Sequence, residues 1–296
     1  MANLDEDARK VLHVLALRGQ VDITTMAPQE VRDYYAAFPS MPGRDLHEVT
    51  QITVAGAQGD LPARLYRPSA APNLPILVWF HGGGMVLGDL RSGDWVCREL
   101  AAQAETLVIS VDYRLAPEHK FPAGPEDAYA SVAWIAAHAT ELGGDPARIF
   151  VAGHSAGAYN AAMIALDERW LQPFGLEPRR LAGLVGLAGP YNFLPIVDDD
   201  IKPIFNVPVA QPDSQPVAHV SGHAPPTLLL VARGDRLVYP ERNTEVLARE
   251  MRERGDAVTV KTYGGVSHTT LIGAMARPLR SLAPVLDDFS SFVLAH

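Results

Sequence analysis

Ser155 stands at the centre of Gly153-His154-Ser155-Ala156-Gly157, between the apolar run Arg148-Ile149-Phe150-Val151-Ala152 and a small-residue run that continues to Leu166. A short strand, a glycine-x-serine-x-glycine turn and a helix, in that order, form a nucleophile elbow. The flanking glycines let strand and helix backbones approach, and the turn lifts the serine hydroxyl clear of the sheet. The helix N-terminus then directs its partial positive charge at an oxyanion developing beside the serine. A serine hydroxyl is a weak nucleophile alone, so this chemistry also demands a base and an acid that orients it.

A second glycine run fits the same chemistry. Leu74-Pro75-Ile76-Leu77-Val78-Trp79-Phe80 reads as a buried strand and leads into His81-Gly82-Gly83-Gly84. Consecutive glycines leave backbone N–H groups unobstructed, as an oxyanion hole requires. Gly83 and Gly84 are the candidate donors there, with Ala156 at the head of the elbow helix as the third. A phosphate loop is the rival reading, but no Gly-Lys-Ser/Thr follows and Met85-Val86-Leu87 is apolar.

Two late strands end in residues of the right types. The run Thr227-Leu228-Leu229-Leu230-Val231-Ala232 leads to Arg233-Gly234-Asp235, and Val258-Thr259-Val260-Lys261-Thr262-Tyr263 leads to Gly264-Gly265-Val266-Ser267-His268. Loops at the C-terminal ends of parallel strands face the ligand crevice, which makes Asp235 the candidate acid and His268 the candidate base. The other histidines are weaker candidates. The elbow should turn His154 away from the serine hydroxyl, His81 should brace the glycine loop, His119 sits in a turn, and His219 and His223 fall in a proline-rich stretch. Asp198-Asp199-Asp200 reads as a solvated cluster, and Asp112 and Asp127 as structural pairs. No His/Cys/Asp/Glu set has metal-ligand spacing, so neither a metal nor a cofactor is expected.

From about residue 61 to 157 the chain resembles the bacterial hormone-sensitive-lipase-like family of α/β-hydrolase esterases. The resemblance rests on His81-Gly82-Gly83-Gly84, on Asp112-Tyr113-Arg114-Leu115-Ala116-Pro117-Glu118-His119, on Phe121-Pro122-Ala123 and on the serine elbow. It implies an α/β-hydrolase fold, a small helical cap, and hydrolysis of a small-molecule carboxylic ester by a Ser155-Asp235-His268 triad. The second half departs from that pattern. The family usually carries Asp at the position of His154 and Gly-Gly or Gly-Asn where this chain has Gly157-Ala158-Tyr159. Its acid segment usually reads Asp-x-Leu-x-Asp-Glu, against Asp235-Arg236-Leu237-Val238-Tyr239-Pro240-Glu241 here. From Gly153 onward, with Gly189-Pro190-Tyr191-Asn192-Phe193 and Gly265-Val266-Ser267-His268, the chain is more similar to another group of small α/β-hydrolase carboxylesterases. It therefore reads as a mosaic joined around residues 145–160. Both groups imply a short-chain carboxylesterase. An amidase such as an aryl-formamide hydrolase is the alternative on this fold. A non-catalytic receptor, as in the plant gibberellin receptors, is a more distant one.

The elements that must position these residues follow from periodicity. Strands are expected near 49–55, 61–67, 74–80, 106–112, 148–153, 182–188, 226–232 and 257–263, and helices near 91–104, 125–140, 156–168, 240–254 and 277–293. Helices alternating with strands imply an α/β fold with a mostly parallel, twisted eight-stranded sheet and right-handed crossovers. The strands at 49–67 lack a helix between them and should pair antiparallel at one edge. Residues 1–45 carry two amphipathic helical patterns; the family resemblance implies that they form a cap, with packing on the sheet's flank as the alternative. One spans residues 4–18, with Leu4, Ala8, Val11, Leu12 and Leu15 on one face. The other follows Pro28, with Val31, Tyr34, Tyr35 and Phe38 apolar. Residues 46–296 form the catalytic domain. Within it, residues 189–226 are proline-rich but too apolar, at Ile196, Ile201, Ile204, Phe205 and Val207, for a disordered linker, and read as a second cap element. Met26, Met41, Met85, Phe38 and Phe205 are candidate pocket-lining residues, though for each one plain core is the stronger reading.

The chain has 296 residues and a formal net charge of −9, without a basic cluster, which argues against a nucleic-acid or anionic-membrane partner. Its single cysteine, Cys97, excludes an internal disulfide framework and fits a reducing compartment as buried filler. The opening Met1-Ala2-Asn3-Leu4-Asp5-Glu6-Asp7 lacks an apolar signal core, and no apolar run is long enough to span a bilayer. The expected location is the cytoplasm. The oligomeric state is open, with a homodimer as the candidate assembly.

Overall fold

A computed structural model of the protein describes residues 26–37, 41, 43–171, 177–206 and 212–296. Its sheet has eight strands in the order β1-β2-β4-β3-β5-β6-β7-β8. They are β1 (Glu48–Gly56), β2 (Gly59–Arg67), β3 (Leu74–Phe80), β4 (Leu107–Val111), β5 (Gly144–His154), β6 (Gly183–Leu187), β7 (Thr227–Ala232) and β8 (Val258–Tyr263). β1 pairs antiparallel with β2, and β2 with β4; every other pairing is parallel. The antiparallel edge and parallel body match the pattern of intervening helices.

Strands covered on both faces need apolar residues at every position, and β4, β6 and β7 are buried throughout. Alternate residues of β3 enter different cores. Ile76, Val78 and Phe80 pack with helices α3 (Ala123–His138) and α4 (Ala156–Leu166). Leu77 and Trp79 pack toward α2 (Asp94–Gln103) and α8 (Val285–Ala295). α4 is buried along its whole length, which its run of glycine and alanine permits. The remaining helices are α1 (Pro28–Ala36), α5 (Glu168–Leu171), α6 (Thr244–Glu253) and α7 (His268–Gly273).

Three local outcomes differ from the sequence reading. The helix expected over 277–293 is a 3-10 turn, Arg277–Leu282, followed separately by α8, because Pro284 stands at the junction and supplies no N–H to continue a helix. His268, expected in a loop, is the first residue of α7, whose N-cap Ser267 accepts the Thr270 amide. In α1 only Val31 is buried, and Tyr35 faces solvent. The expected helix at 4–18, Phe38 and Val207 lie outside the described residues.

After β6 the chain makes its proline-rich excursion. Ile196, Ile204 and Phe205 are buried against Ala116 and against Tyr159 and Met163 of α4. Tyr159 donates its hydroxyl proton to the Ser214 carbonyl at 2.8 Å, which ties the returning limb to the same helix. Asp198, Asp199 and Asp200 are exposed, as a solvated cluster should be.

Candidate active site

β5 ends at His154, and Ser155 turns the chain into α4 with φ 54° and ψ −120°. A non-glycine residue there is strained and persists only because its surroundings hold it. One restraint is the Ser155 amide, which donates to the Leu187 carbonyl at 2.8 Å. Close packing supplies the rest. A Cβ on Gly157 would overlap the Phe80 carbonyl oxygen, and one on Gly153 would run into the Gly157 backbone. Ser155 itself stays partly exposed between buried neighbours.

The glycine loop lies directly against this turn. A Cβ on Gly82 would stand 2.9 Å from His154 Nδ1 and 3.4 Å from the Ser155 Cβ. Gly83 closes a tight turn by accepting the Leu87 amide at 2.8 Å and the Val86 amide at 3.1 Å. Among the described residues, no acceptor takes the amides of Gly83, Gly84 or Ala156. His81 braces the loop's start: its ring stacks on Tyr113 at 4.5 Å, and its Nδ1 donates to the Gly82 carbonyl at 2.8 Å. Tyr113 in turn donates to the His81 carbonyl at 2.7 Å. Burial pushes the His81 pKa down, so the ring is a neutral brace.

Across the sheet, the ends of β7 and β8 bring Asp235 and His268 together, with Asp235 Oδ2 2.7 Å from His268 Nδ1. The Asp235 side chain is fully buried. Its Oδ1 accepts the amides of Leu237 at 2.9 Å and Val238 at 3.0 Å. Burial alone would raise this carboxyl, but the hydrogen bond from His268 and those two amides outweigh it and hold it below the usual carboxylate range. Beside an ionised Asp235, the neutral form of His268 carries its proton on Nδ1 and keeps the lone pair on Nε2.

His154 is more than a bystander of the elbow. Its Nε2 donates to the His268 carbonyl at 3.1 Å, and the two rings lie 4.8 Å apart at 46°. Burial, followed by the charge of His268, lowers its pKa to about 3. The sequence carried no signal for this contact beyond a histidine where the family has Asp.

The remaining candidates are engaged elsewhere. His219 lies 3.5 Å from Asp167, and His223 lies 2.7 Å from Glu168. Asp127 accepts the Arg114 and Ala57 amides and the Arg114 guanidinium, a structural clamp. Asp112 stands 4.0 Å from His81 Nε2, and burial, with Asp89 second, raises its pKa to about 6.

A nucleophile elbow at the central strand, an adjoining glycine loop, and an acid–histidine pair at later strand ends together define the class. The family model for the alpha/beta hydrolase fold matches residues 77–188. The carboxylic ester hydrolase LipN of Mycobacterium tuberculosis is 36% identical over 266 residues, covering 79% of this chain and 67% of LipN. Esterase LipI of the same organism is 41% identical over 169 residues, covering 56% of this chain and 52% of LipI. Among solved structures, the hyperthermophilic esterase from Pyrobaculum calidifontis superposes with a TM-score of 0.78 at 29% identity, covering 99% of this chain and 98% of that one. The chain thus belongs to the hormone-sensitive-lipase-like esterase family of α/β-hydrolases. It spans about half the length of LipI and two thirds of LipN. The LipN alignment is long enough to run through residues 145–160, where the sequence suggests a join. No helix among the described residues is long and apolar enough to cross a membrane.

Proposed function

We propose that the protein is a carboxylesterase that hydrolyses short-chain carboxylic esters through an acyl-enzyme on Ser155. The observation that carries this reading is the 2.7 Å contact between buried Asp235 and His268, at the same C-terminal end of the parallel strands as the strained serine. His268 Nε2 takes the Ser155 proton as Oγ attacks the ester carbonyl, and Asp235 stabilises the imidazolium that forms. The amides of Gly83, Gly84 and Ala156 receive the oxyanion. Loss of one such donor costs roughly 2.7–4 kcal/mol in comparable sites. The intermediate collapses as His268 returns the proton to the leaving alcohol. Water, deprotonated by the same nitrogen, then releases the acid from Ser155.

Residues 189–226, with α1 ahead of β1, act in this reading as a cap that limits acyl length. Phe193 and Phe205 meet Tyr159 edge-on, and Phe121 stacks on Phe205 at 5.3 Å, which builds an aromatic wall alongside Met85 and Val86. Each methylene contributes ~0.8 kcal/mol only while it can be buried, so rates on p-nitrophenyl esters should hold or rise to about four to six acyl carbons and then fall. A preference for chains of about twelve carbons or more would overturn the closed pocket, since that much apolar length needs an open groove. The lone, buried Cys97 supports the cytoplasm as the working compartment.

A further inference from the structure

Helix α1 reaches the glycine loop through the Arg32 side chain. Arg32 Nε donates to the Val86 carbonyl at 2.8 Å, and its Nη2 donates to the Ala116 carbonyl at 2.7 Å. The same guanidinium meets Glu118 in a two-pronged pair, Nη1 to Oε1 at 3.0 Å and Nη2 to Oε2 at 2.8 Å. Ala116 closes the circuit by donating its amide to the Met85 carbonyl at 2.8 Å. The segment directly after Gly83 and Gly84 is therefore tied at two successive carbonyls. It needs such ties, because Met85 has φ 65°, a conformation that a side-chain-bearing residue adopts only under restraint.

We propose that Arg32 is a positioning residue for the oxyanion loop: its guanidinium holds the Met85–Val86 segment so that the Gly83 and Gly84 amides stay aimed beside Ser155. This rests on the esterase reading above. A run of glycines has many accessible conformations, and donors that must reorganise during the reaction stabilise the transition state less. The planar fork of arginine serves two carbonyls and a carboxylate at once. A lysine ammonium cannot span those positions. Glu118 fixes the plane of the fork, and the hydrogen bond from Arg32 keeps its carboxyl below the usual range. As an exposed ion pair alone the contact would be worth little, so any sizeable effect must come through the carbonyls.

The test compares Arg32→Ala, Arg32→Lys and Glu118→Gln with the wild type on p-nitrophenyl butyrate. It adds the affinities of a trifluoromethyl ketone, which adds to serine and bears an oxyanion, and of the matched methyl ketone. In Arg32→Ala, kcat should fall on the order of ten- to a hundred-fold, as for a displaced catalytic donor, while KM changes by less than about threefold. Trifluoromethyl ketone affinity should fall in step with kcat, with methyl ketone affinity little changed. Arg32 lines an open hollow of about 410 Å³ with Leu87, Gly88 and Trp95, which gives free guanidinium a route to the vacated position. Millimolar guanidinium should therefore restore part of the lost kcat, and Arg32→Lys should not match that recovery. Glu118→Gln, which keeps both carbonyl contacts, should show the same ketone asymmetry with a smaller loss, and it decides the matter if Arg32→Ala fails to fold. Retention of kcat within about twofold in Arg32→Ala would overturn the proposal, because a displaced donor costs far more. Equal weakening of both ketones would overturn it too. A wild type inert on esters would sink the esterase reading instead, a distinguishable result.

Discussion

Around Ser155 and Gly82 the main chain is its own constraint. Gly157 lies against the Phe80 carbonyl, Gly82 against the Ser155 Cβ, and the serine is locked at φ 54°. Around His268 the constraint is polar and made by side chains: Asp235 on the ring and His154 on the carbonyl. Sterics of the first kind have no intermediate setting, since an added methyl group either fits or displaces a strand. Polar contacts of the second kind can be weakened one at a time, by substitution or by protons. Damage to the glycine packing of the serine arm should therefore cost fold and activity together, and damage to the polar contacts of the histidine arm should cost activity first.

The largest expected effect isolates chemistry from fold. Ser155→Ala should lower kcat on the order of 10⁶-fold, as nucleophile removal does in other serine hydrolases, with melting little changed. Gly157→Ala should be comparably inactive but also melt several degrees lower, since its Cβ collides with rigid backbone. If Gly157→Ala melts like the wild type, the nucleophile arm is less rigid than its packing implies. Next, Asp235→Asn should lower kcat about 10⁴-fold, because an amide N–H facing Nδ1 forces the wrong histidine tautomer. Its carbonyl oxygen can still accept the Leu237 and Val238 amides, so melting at neutral pH should move far less than in Gly157→Ala.

Acid sharpens the comparison further. His154 has an unfolded pKa near ~6.5 and a folded one of about 3. Its contribution is therefore complete above ~6.5 and is lost as pH falls toward 3, by ~1.4 kcal/mol per unit at most. Asp235, lowered in the fold, works in the same direction below its unfolded value of ~3.9. Urea midpoints at pH 7.5 and 5 should differ less in His154→Gln than in the wild type; equal differences would remove His154 from the account. The smallest effect belongs to Tyr159→Phe, which loses one hydrogen bond to Ser214 and should cost about 0.5–1.5 kcal/mol, read from the same midpoints.

The two arms also differed in how well the sequence exposed them. Steric requirements leave a compositional mark: Gly82, Gly83, Gly153 and Gly157 stand where a Cβ would collide, Gly84 stands at φ 61°, and all five could be read directly. The strands were equally legible, since a strand buried on both faces must be continuously apolar. Asp235 and His268 followed from strand ends. His154 and Arg32 left no comparable trace. Their contacts join residues 114 and 84 positions apart, and many sequences place a histidine or an arginine there for unrelated reasons. α7 was missed although Ser267 and Thr270 carry its capping signal, because six residues are too few to establish a helical period.

The carbonyl of Leu187 holds the Ser155 amide, while the next residue, Ala188, donates its own amide to Leu230 at 2.9 Å. The proline-rich excursion departs immediately afterwards. Two hydrogen bonds at its root anchor it to β7 and to the serine turn, so that the turn is held separately from the contacts the excursion makes further on with Tyr159 and Met163. Insertions, deletions and sequence drift in the excursion thus need not tilt the serine. A scaffold wired in this way can be bred for new substrates by exchanging one segment, with the chemistry inherited intact.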